Sequence, residues 1–220
     1  TDRVPFLPCI AVDHACHATG RDYAEALADP RLGVWATLDA NLLYGSDVVR
    51  VRLVPERAWF REKEVRRDGD RLVQADRRTG KVEGHFDVQG GGGLIAADPS
   101  PPVRTLEDAE RLSVPTCREL LEAGRLDAAR EVAEAAREKG LFVIGMAAGQ
   151  TLNTLVARCG GTDAAMMLLL DAPDVARRVI EKATDAAIEV GRAFARAGVD
   201  ALYIGDSYAS GSVVSPAIYR

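Results

Sequence analysis

Aromatic side chains are scarce in this chain: Phe, Tyr and Trp together make up 5% of its 220 residues. A surface that stacks single-stranded bases needs a series of them, so a nucleic-acid platform is excluded. An excess of positive charge is also missing. The formal net charge is −5, which argues against a nucleic acid or an anionic membrane surface as partner. No apolar run reaches the roughly 18 residues that a membrane-spanning helix requires. The opening residues Thr1-Asp2-Arg3-Val4-Pro5 are not those of a secretory leader. Cysteine is confined to Cys9, Cys16, Cys117 and Cys159, without a CxxC pair. Neither a disulfide framework nor a zinc ribbon is therefore indicated. A reducing cytoplasm is the expected setting, and the abundance of Ala, Arg and Gly fits a GC-rich bacterial genome.

What is present is ordinary for a globular protein: 47% hydrophobic and 28% charged residues. The length allows one large domain or two small ones. Val4 to Val12 is apolar with two prolines, and a first short strand is expected over roughly Leu7 to Val12. A polar loop, Asp13 to Gly20, follows it. Helices are expected over Asp22 to Ala28 and, restarted by Pro30, over Arg31 to Leu43, where Leu32, Trp35, Leu38 and Leu42 recur at helical spacing. Asp47 to Val54 is the most strand-like stretch, with Val49, Val51 and Leu53 alternating against Arg50 and Arg52. Arginine is rarely buried unless paired. These two either face a polar pocket or mark an exposed edge.

Residues 62–88 differ in character. Lys63 to Arg67, Arg71 to Asp76 and Lys81 to Phe86 read as strands, with turns at Asp68-Gly69-Asp70 and Arg77-Arg78-Thr79-Gly80. They predict an inserted antiparallel β-meander that projects from the main fold with a charged outer face. Gly90 to Gly93 and Asp98 to Pro102 read as the linker that returns the chain. From Thr105 the pattern turns helical: a short helix near Leu106 to Leu112, then a long amphipathic one over Arg118 to Lys139. The inward positions of the latter are Leu120, Leu121, Leu126, Ala129, Val132 and Ala136. A buried strand (Leu141 to Ile144) follows. After a small-residue loop come helices over Thr151 to Val156, Ala164 to Leu170 and Pro173 to Ala197. Ala201 to Ile204 is a further buried strand, and Ser215-Pro216 starts another helix as N-cap and N1. This alternation is the signature of βα units around a parallel sheet. Ligands bind at the loops that follow the strand C-termini of such folds.

Several stretches carry polar groups to those positions. His14 and His17 sit three residues apart, with no third ligand at metal spacing. A local turn capped by Asp13 is the first reading there, a pocket lining the second and metal binding the last. The four glycines 90–93 lack a phosphate-loop pattern and read as a hinge. The loop 145–150 precedes a helix whose first N–H groups would suit an anion, though its spacing is not that of a dinucleotide site. Asp206 and Ser207 place a carboxylate and a hydroxyl at a strand end. General acid/base work or substrate binding is placed there ahead of a capping role.

The run Ala197-Gly198-Val199-Asp200-Ala201-Leu202-Tyr203-Ile204-Gly205-Asp206-Ser207-Tyr208-Ala209, followed by Ser215-Pro216, resembles the uroporphyrinogen decarboxylase superfamily. So do Leu141 to Gly145 leading into Thr151-Leu152, the start Arg3-Val4-Pro5, and Tyr44-Gly45-Ser46-Asp47. The resemblance implies an α/β fold, the (β/α)8 TIM barrel, spread over residues 1–220. The chain is expected to supply strands one to four and to break off partway through the barrel. Three departures bear on activity. Asp13 to Gly20 stands where the decarboxylases carry arginines that grip the substrate's carboxylates. Val51-Arg52-Leu53-Val54 stands where they carry a catalytic aspartate. Leu155 falls where they carry a pocket tyrosine. Losing those charges removes the electrostatic parts that pyrrole-acetate decarboxylation needs.

The other large branch is similar to corrinoid-dependent methyltransferases. That resemblance implies methyl transfer between a methyl-corrinoid and a small thiol, with zinc activating the thiol. The zinc ligands are expected in the second half of the barrel, and none in this chain. Asp206 is the expected catalytic residue. Ser207, Tyr208, Gln150, Thr151, Asn153, His14 and His17 are the expected substrate-binding residues. The expected partners are a corrinoid protein or a small-molecule thiol, with a homodimer possible and neither nucleic acid nor membrane. The alternatives are a uroporphyrinogen decarboxylase with a divergent site and a non-catalytic corrinoid- or tetrapyrrole-binding half-barrel completed by a partner.

Overall fold

A β-branched, largely buried run forms the first strand of the parallel sheet, and two further short apolar runs complete it. In the computed structural model, which describes residues 4–88, 93–147, 151–206 and 208–219, these strands are β1 (Val48–Val51), β6 (Phe142–Met146) and β7 (Ala201–Tyr203). They lie in the order β1-β6-β7. β1 and β6 pair in parallel, with Val48 opposite Phe142 and Val51 opposite Gly145. Val49, Val51 and Val143 are fully buried, as expected of a sheet covered by helices. The Asp200 carboxylate accepts the Val143 N–H at 2.7 Å, and the Asp200 N–H donates to the Val143 carbonyl at 2.8 Å. That double link sets the start of β7 against β6.

Ahead of β1 the chain folds as α1 (Val12–Thr19), α2 (Tyr23–Ala28) and α3 (Pro30–Leu43). The expected strand over Leu7 to Val12 does not form. Pro8 carries no N–H, so a ladder there would lack a donor. The segment is instead tied beside the start of β1. The Phe6 N–H donates to the Asp47 carboxylate at 2.7 Å, and the Phe6 carbonyl accepts the Asp47 N–H at 3.0 Å. The expected loop Asp13 to Gly20 is α1, closed by Gly20 at φ 70. Asp22 and Asp29 cap α2 and α3 with their side chains. In α3 the buried face includes Gly33, Val34, Ala36 and Ala40, whereas Leu32 and Leu42 of the expected apolar stripe stay exposed. Small residues win because α1 packs close: a Cβ on Gly33 would stand 2.8 Å from Val12 Cγ1.

α4 (Arg57–Glu62) leads into a separate antiparallel sheet of β2 (Lys63–Asp68), β3 (Arg71–Asp76), β4 (Val82–Asp87) and β5 (Gly93–Ala96). The meander therefore has four strands, and Gly93, expected in a linker, opens the last of them. It does more than project: Leu72, Val73, Gln74 and Ala75 of β3 are all buried. Gly84 lets β4 and β5 approach, since a Cβ there would meet the Ile95 carbonyl at 2.4 Å.

The long helix expected over Arg118 to Lys139 is two helices, α6 (Cys117–Glu122) and α7 (Asp127–Glu138), separated at Gly124, which has φ +77. The carbonyls of Ala123 and Arg125 accept the N–H groups of Arg57 and Val54, a pairing that a continuous helix would forbid. α5 (Leu106–Glu110) begins with a full capping box between Thr105 and Asp108. α8 (Thr151–Cys159), α9 (Thr162–Asp171) and α10 (Pro173–Ala197) follow β6. α11 (Pro216–Tyr219) comes last.

The chain divides into two compact units. The first holds Thr1–Pro99, Arg118–Met146 and Ala193–Leu202. The second holds Ser100–Cys117, Ala147–Arg192 and Tyr203–Arg220. The core of the second is formed by Leu152, Leu155, Val175, Val179 and their neighbours. No helix among the described residues is long and apolar enough to cross a membrane.

Candidate functional site

In the second unit, Thr151 opens α8, and the chain after β7 brings Asp206 to that helix start. One Asp206 carboxylate oxygen accepts the Leu152 N–H at 2.6 Å and the Thr151 hydroxyl at 3.1 Å. The other accepts the Tyr208 N–H at 3.2 Å. A negative group at a helix N-terminus satisfies orphan donors and complements the helix dipole. The contact to Tyr208 is the local turn that Asp favours. These are capping contacts, so Asp206 positions α8 and its own loop. Of the residues expected to line a site, Thr151, Asp206 and Tyr208 are brought together here. Asn153 lies along α8 on a shallow concavity of about 270 Å³. Gln150 and Ser207 lie outside the described residues.

His14 and His17 belong to the first unit, both exposed on α1. His14 is engaged with Tyr44: a ring nitrogen lies 2.9 Å from the hydroxyl, and the rings stack at 5.8 Å. Neither histidine lines the cleft described next.

That cleft, of about 300 Å³, opens at the C-terminal end of β1 and lies wholly within the first unit. Arg52 and Leu53, which directly follow β1, form one side of it, and Val12 and Tyr23 another. Trp59 comes from α4, Gln74 from β3 and Phe86 from β4. Arg52 is the only charged residue of this lining, and no carboxylate is among it. Because the site is concave, protein crowds the guanidinium while its open side leaves it in reach of solvent. Crowding pulls the Arg52 pKa down from its ordinary value, against the opposing pull of Cys9 and Tyr23. Burial, followed by Asp13, pushes the Tyr23 phenol up, so it stays a neutral hydrogen-bonding group. Gln74 is 8% exposed and donates to Glu83 at 2.9 Å; Glu83 in turn binds Lys63.

Both readings of the β1 arginines meet at Arg52, which lines the cleft and is at the same time exposed. Arg50 instead reaches Cys9 Sγ at 3.2 Å. Sequence patterning missed Tyr23, Trp59, Gln74 and Phe86. The signal available was Arg52 itself, a charge at the end of a buried strand. Nothing local pointed to Gln74 or Phe86, which sit in a segment that reads as outward-facing.

Among the described residues, no three His, Cys, Asp or Glu side chains gather as a metal site. Burial raises the thiol pKa values of Cys16 and Cys159, which disfavours the thiolate a metal would bind. The zinc implied by the resemblance is thus not accommodated by the residues described. The cleft lies at the small end of the range for small-molecule sites. It suits a small ligand, and no cradle for a corrinoid macrocycle is formed by its walls.

Parallel βα units that carry a ligand-sized cleft at a strand C-terminus define an incomplete (β/α)8 barrel, here with an antiparallel sheet inserted after its first parallel strand. Comparison with known families narrows this class. The uroporphyrinogen decarboxylase (URO-D) family profile matches residues 89–220, more than half of the chain, and the chain belongs to that family. Among solved structures, a methyltransferase from Methanosarcina mazei superposes with a TM-score of 0.61 at 19% sequence identity. The superposition covers 100% of this chain and 59% of that one, so the chain spans less than two thirds of that protein's length. At this identity the likeness concerns the fold. A comparison with curated proteins finds no match.

Proposed function

We propose that this chain is part of a URO-D-family enzyme that moves a methyl group between a methyl-corrinoid and a small thiol. The observation that carries the reading is the end of β1. A decarboxylase of this family would be expected to carry an aspartate there, whereas this chain presents Arg52 in a cleft without any carboxylate lining. Protonating a pyrrole intermediate requires an acid at the reacting carbon, and stabilising its positive charge requires an anion nearby. A lone guanidinium supplies neither. It does suit the holding of a small acceptor, and the cleft's volume agrees with that use. The fold shared with the Methanosarcina mazei methyltransferase is compatible with this reading.

In this reading Arg52, Tyr23 and Gln74 bind and orient the small substrate. Within the second unit, Thr151, Asn153 and Tyr208 are assigned to substrate binding, and Asp206, besides capping α8, is assigned the catalytic role; Gln150 and Ser207 are added from the sequence alone. The methyl donor is carried by a corrinoid protein. No step is assigned to zinc.

The test is a pair of assays on the 220-residue chain and on any longer natural form that contains it. Methyl transfer from methylcobalamin to a panel of small thiols, followed by the loss of the methylcobalamin absorbance, is the expected activity. Turnover of uroporphyrinogen to coproporphyrinogen by either form would overturn the reading in favour of the decarboxylase.

A further inference from the structure

The cleft at the end of β1 has a composition that specifies more than size. Its walls are mainly apolar, and three aromatic side chains, Tyr23, Trp59 and Phe86, contribute to them. Its single charge is the Arg52 guanidinium. From these observations we infer that the cleft is a binding site for a small organic carboxylate with a flat apolar body, anchored on Arg52 and walled by the inserted antiparallel sheet. The inference rests on reading this cleft as a substrate site, and it goes further by naming the ligand class and by giving the insert a role.

Charge balance selects the anion. A neutral ligand would leave the guanidinium, which is exposed, to solvent alone, whereas an anion adds a charge-assisted pair. A dianion would leave one negative charge unmatched, because no second cation lines the cleft. A monoanion balances it. The planar guanidinium fork matches a planar carboxylate with two parallel hydrogen bonds, a geometry a lysine ammonium lacks. Aromatic walls favour a flat body, which they contact over its faces and edges.

The insert's part follows from Gln74 and Phe86. Gln74 is nearly buried, and its amide is held by Glu83, which is bound in turn by Lys63. Lys63 and Glu83 belong to β2 and β4, the strands that flank β3. This network fixes the amide as a polar wall. Phe86, from β4, adds an apolar one. Both residues lie in the insert, so the insert sets the shape of the ligand body while Arg52 sets its charge.

Trp59 supplies the readout. The chain holds two tryptophans, and Trp35→Phe isolates the fluorescence of Trp59. Benzoate, its uncharged isostere benzamide, and phenyl phosphate are titrated separately against this variant, and calorimetry repeats the series on the unaltered chain. Benzoate is expected to change the emission saturably. Benzamide is expected to bind about ten- to a hundredfold more weakly, the usual worth of a hydrogen-bonded charge. Phenyl phosphate is expected to bind more weakly than benzoate. Arg52→Met is expected to reduce benzoate to the benzamide level, and Phe86→Ala to weaken benzoate more than acetate. Equal binding of benzoate and benzamide, tighter binding of phenyl phosphate, or no saturable change would sink the inference. The benzoate–benzamide comparison leaves Arg52 intact, so it stands even if Arg52→Met misfolds. Binding is read apart from turnover. Failure of the methyl-transfer assay with benzoate still bound would remove only the proposed activity, and the converse result would remove only the carboxylate site.

Discussion

Single side chains here carry consequences well beyond their own positions, and Asp206 illustrates this. Its carboxylate accepts from Thr151, Leu152 and Tyr208. Asp206→Ala removes an N-cap acceptor, and a loss of about 1 kcal/mol in urea unfolding is expected. Asp206→Asn keeps one acceptor oxygen and should lose less. Methyl transfer abolished in Asp206→Asn at retained stability is the outcome expected of the catalytic role, and unchanged turnover would leave Asp206 as a cap alone. Gly145 is the other instance. A Cβ there would come within 2.7 Å of the ring of Phe194, which is fully buried. Gly145→Ala is therefore expected to destabilise by roughly 1–3 kcal/mol, as overpacked sites do. A change below about 0.5 kcal/mol would mean that the ring moves aside, since that is the scale of ordinary surface substitutions. Asp206 was legible in the sequence as a polar group at a strand end. Its capping partners were not, because Thr151 lies 55 positions away.

Elements formed where local signals agreed and broke where tertiary contacts overrode them. Asp22, Asp29, Thr105 and Pro173 begin helices as their residue types predict. The turns at Gly69 and Gly80 likewise place β2, β3 and β4 within a residue or so of expectation. Gly124 shows the opposite case. Helical periodicity runs through it, yet the helix breaks there, and the Ala123 and Arg125 carbonyls accept from Arg57 and Val54. Gly124→Ala forces a side chain into φ +77 and against Arg57 Nε at 2.6 Å. A loss of about 1–2 kcal/mol is expected from the backbone conformation alone, measurable by urea unfolding.

A second element-scale link joins α5 to α10. Arg178 and Lys182 both bind Glu110 and hold its carboxyl down to about 2 from the usual 4.5. A depressed carboxylate stabilises the fold above its unfolded pKa, and that contribution is lost as pH falls through the folded value. Thermal melts should therefore show a fall in stability between about pH 4.5 and pH 2 that is shallower in Glu110→Gln. Parallel pH profiles for the two proteins would exclude the link.

At the scale of the whole molecule, a three-stranded parallel sheet leaves β1 and β7 at its edges. The β1 side is blunted by the proline-bearing segment tied to it through Phe6. Beyond β7 no strand is paired among the described residues, and Leu202, Tyr203 and Ile204 are exposed, Ile204 by 66%. An apolar open edge is a template for association. The 220-residue chain by itself is expected to self-associate with rising concentration in sedimentation velocity, and Ile204→Lys to shift it towards a 23.6 kDa monomer. A monomer at all concentrations would show that the edge is covered. Leu155, fully buried in the core of the second unit, gives a further check on packing: Leu155→Ala should cost about 2–5 kcal/mol.

The sequence by itself determined the βα alternation, the inserted antiparallel strands and the family. Each of these is written in periodicity, caps, turn residues and short motifs, whose physics acts over a few neighbouring positions. Only the tertiary structure decided the cleft. Val12, Tyr23, Arg52, Trp59, Gln74 and Phe86 come from six parts of the chain, and no local rule states which of them meet. The same holds for the break at Gly124 and for the segment that did not become a strand. In each case a backbone group found, or lacked, a hydrogen-bond partner distant in sequence, and that pairing outweighed the local pattern.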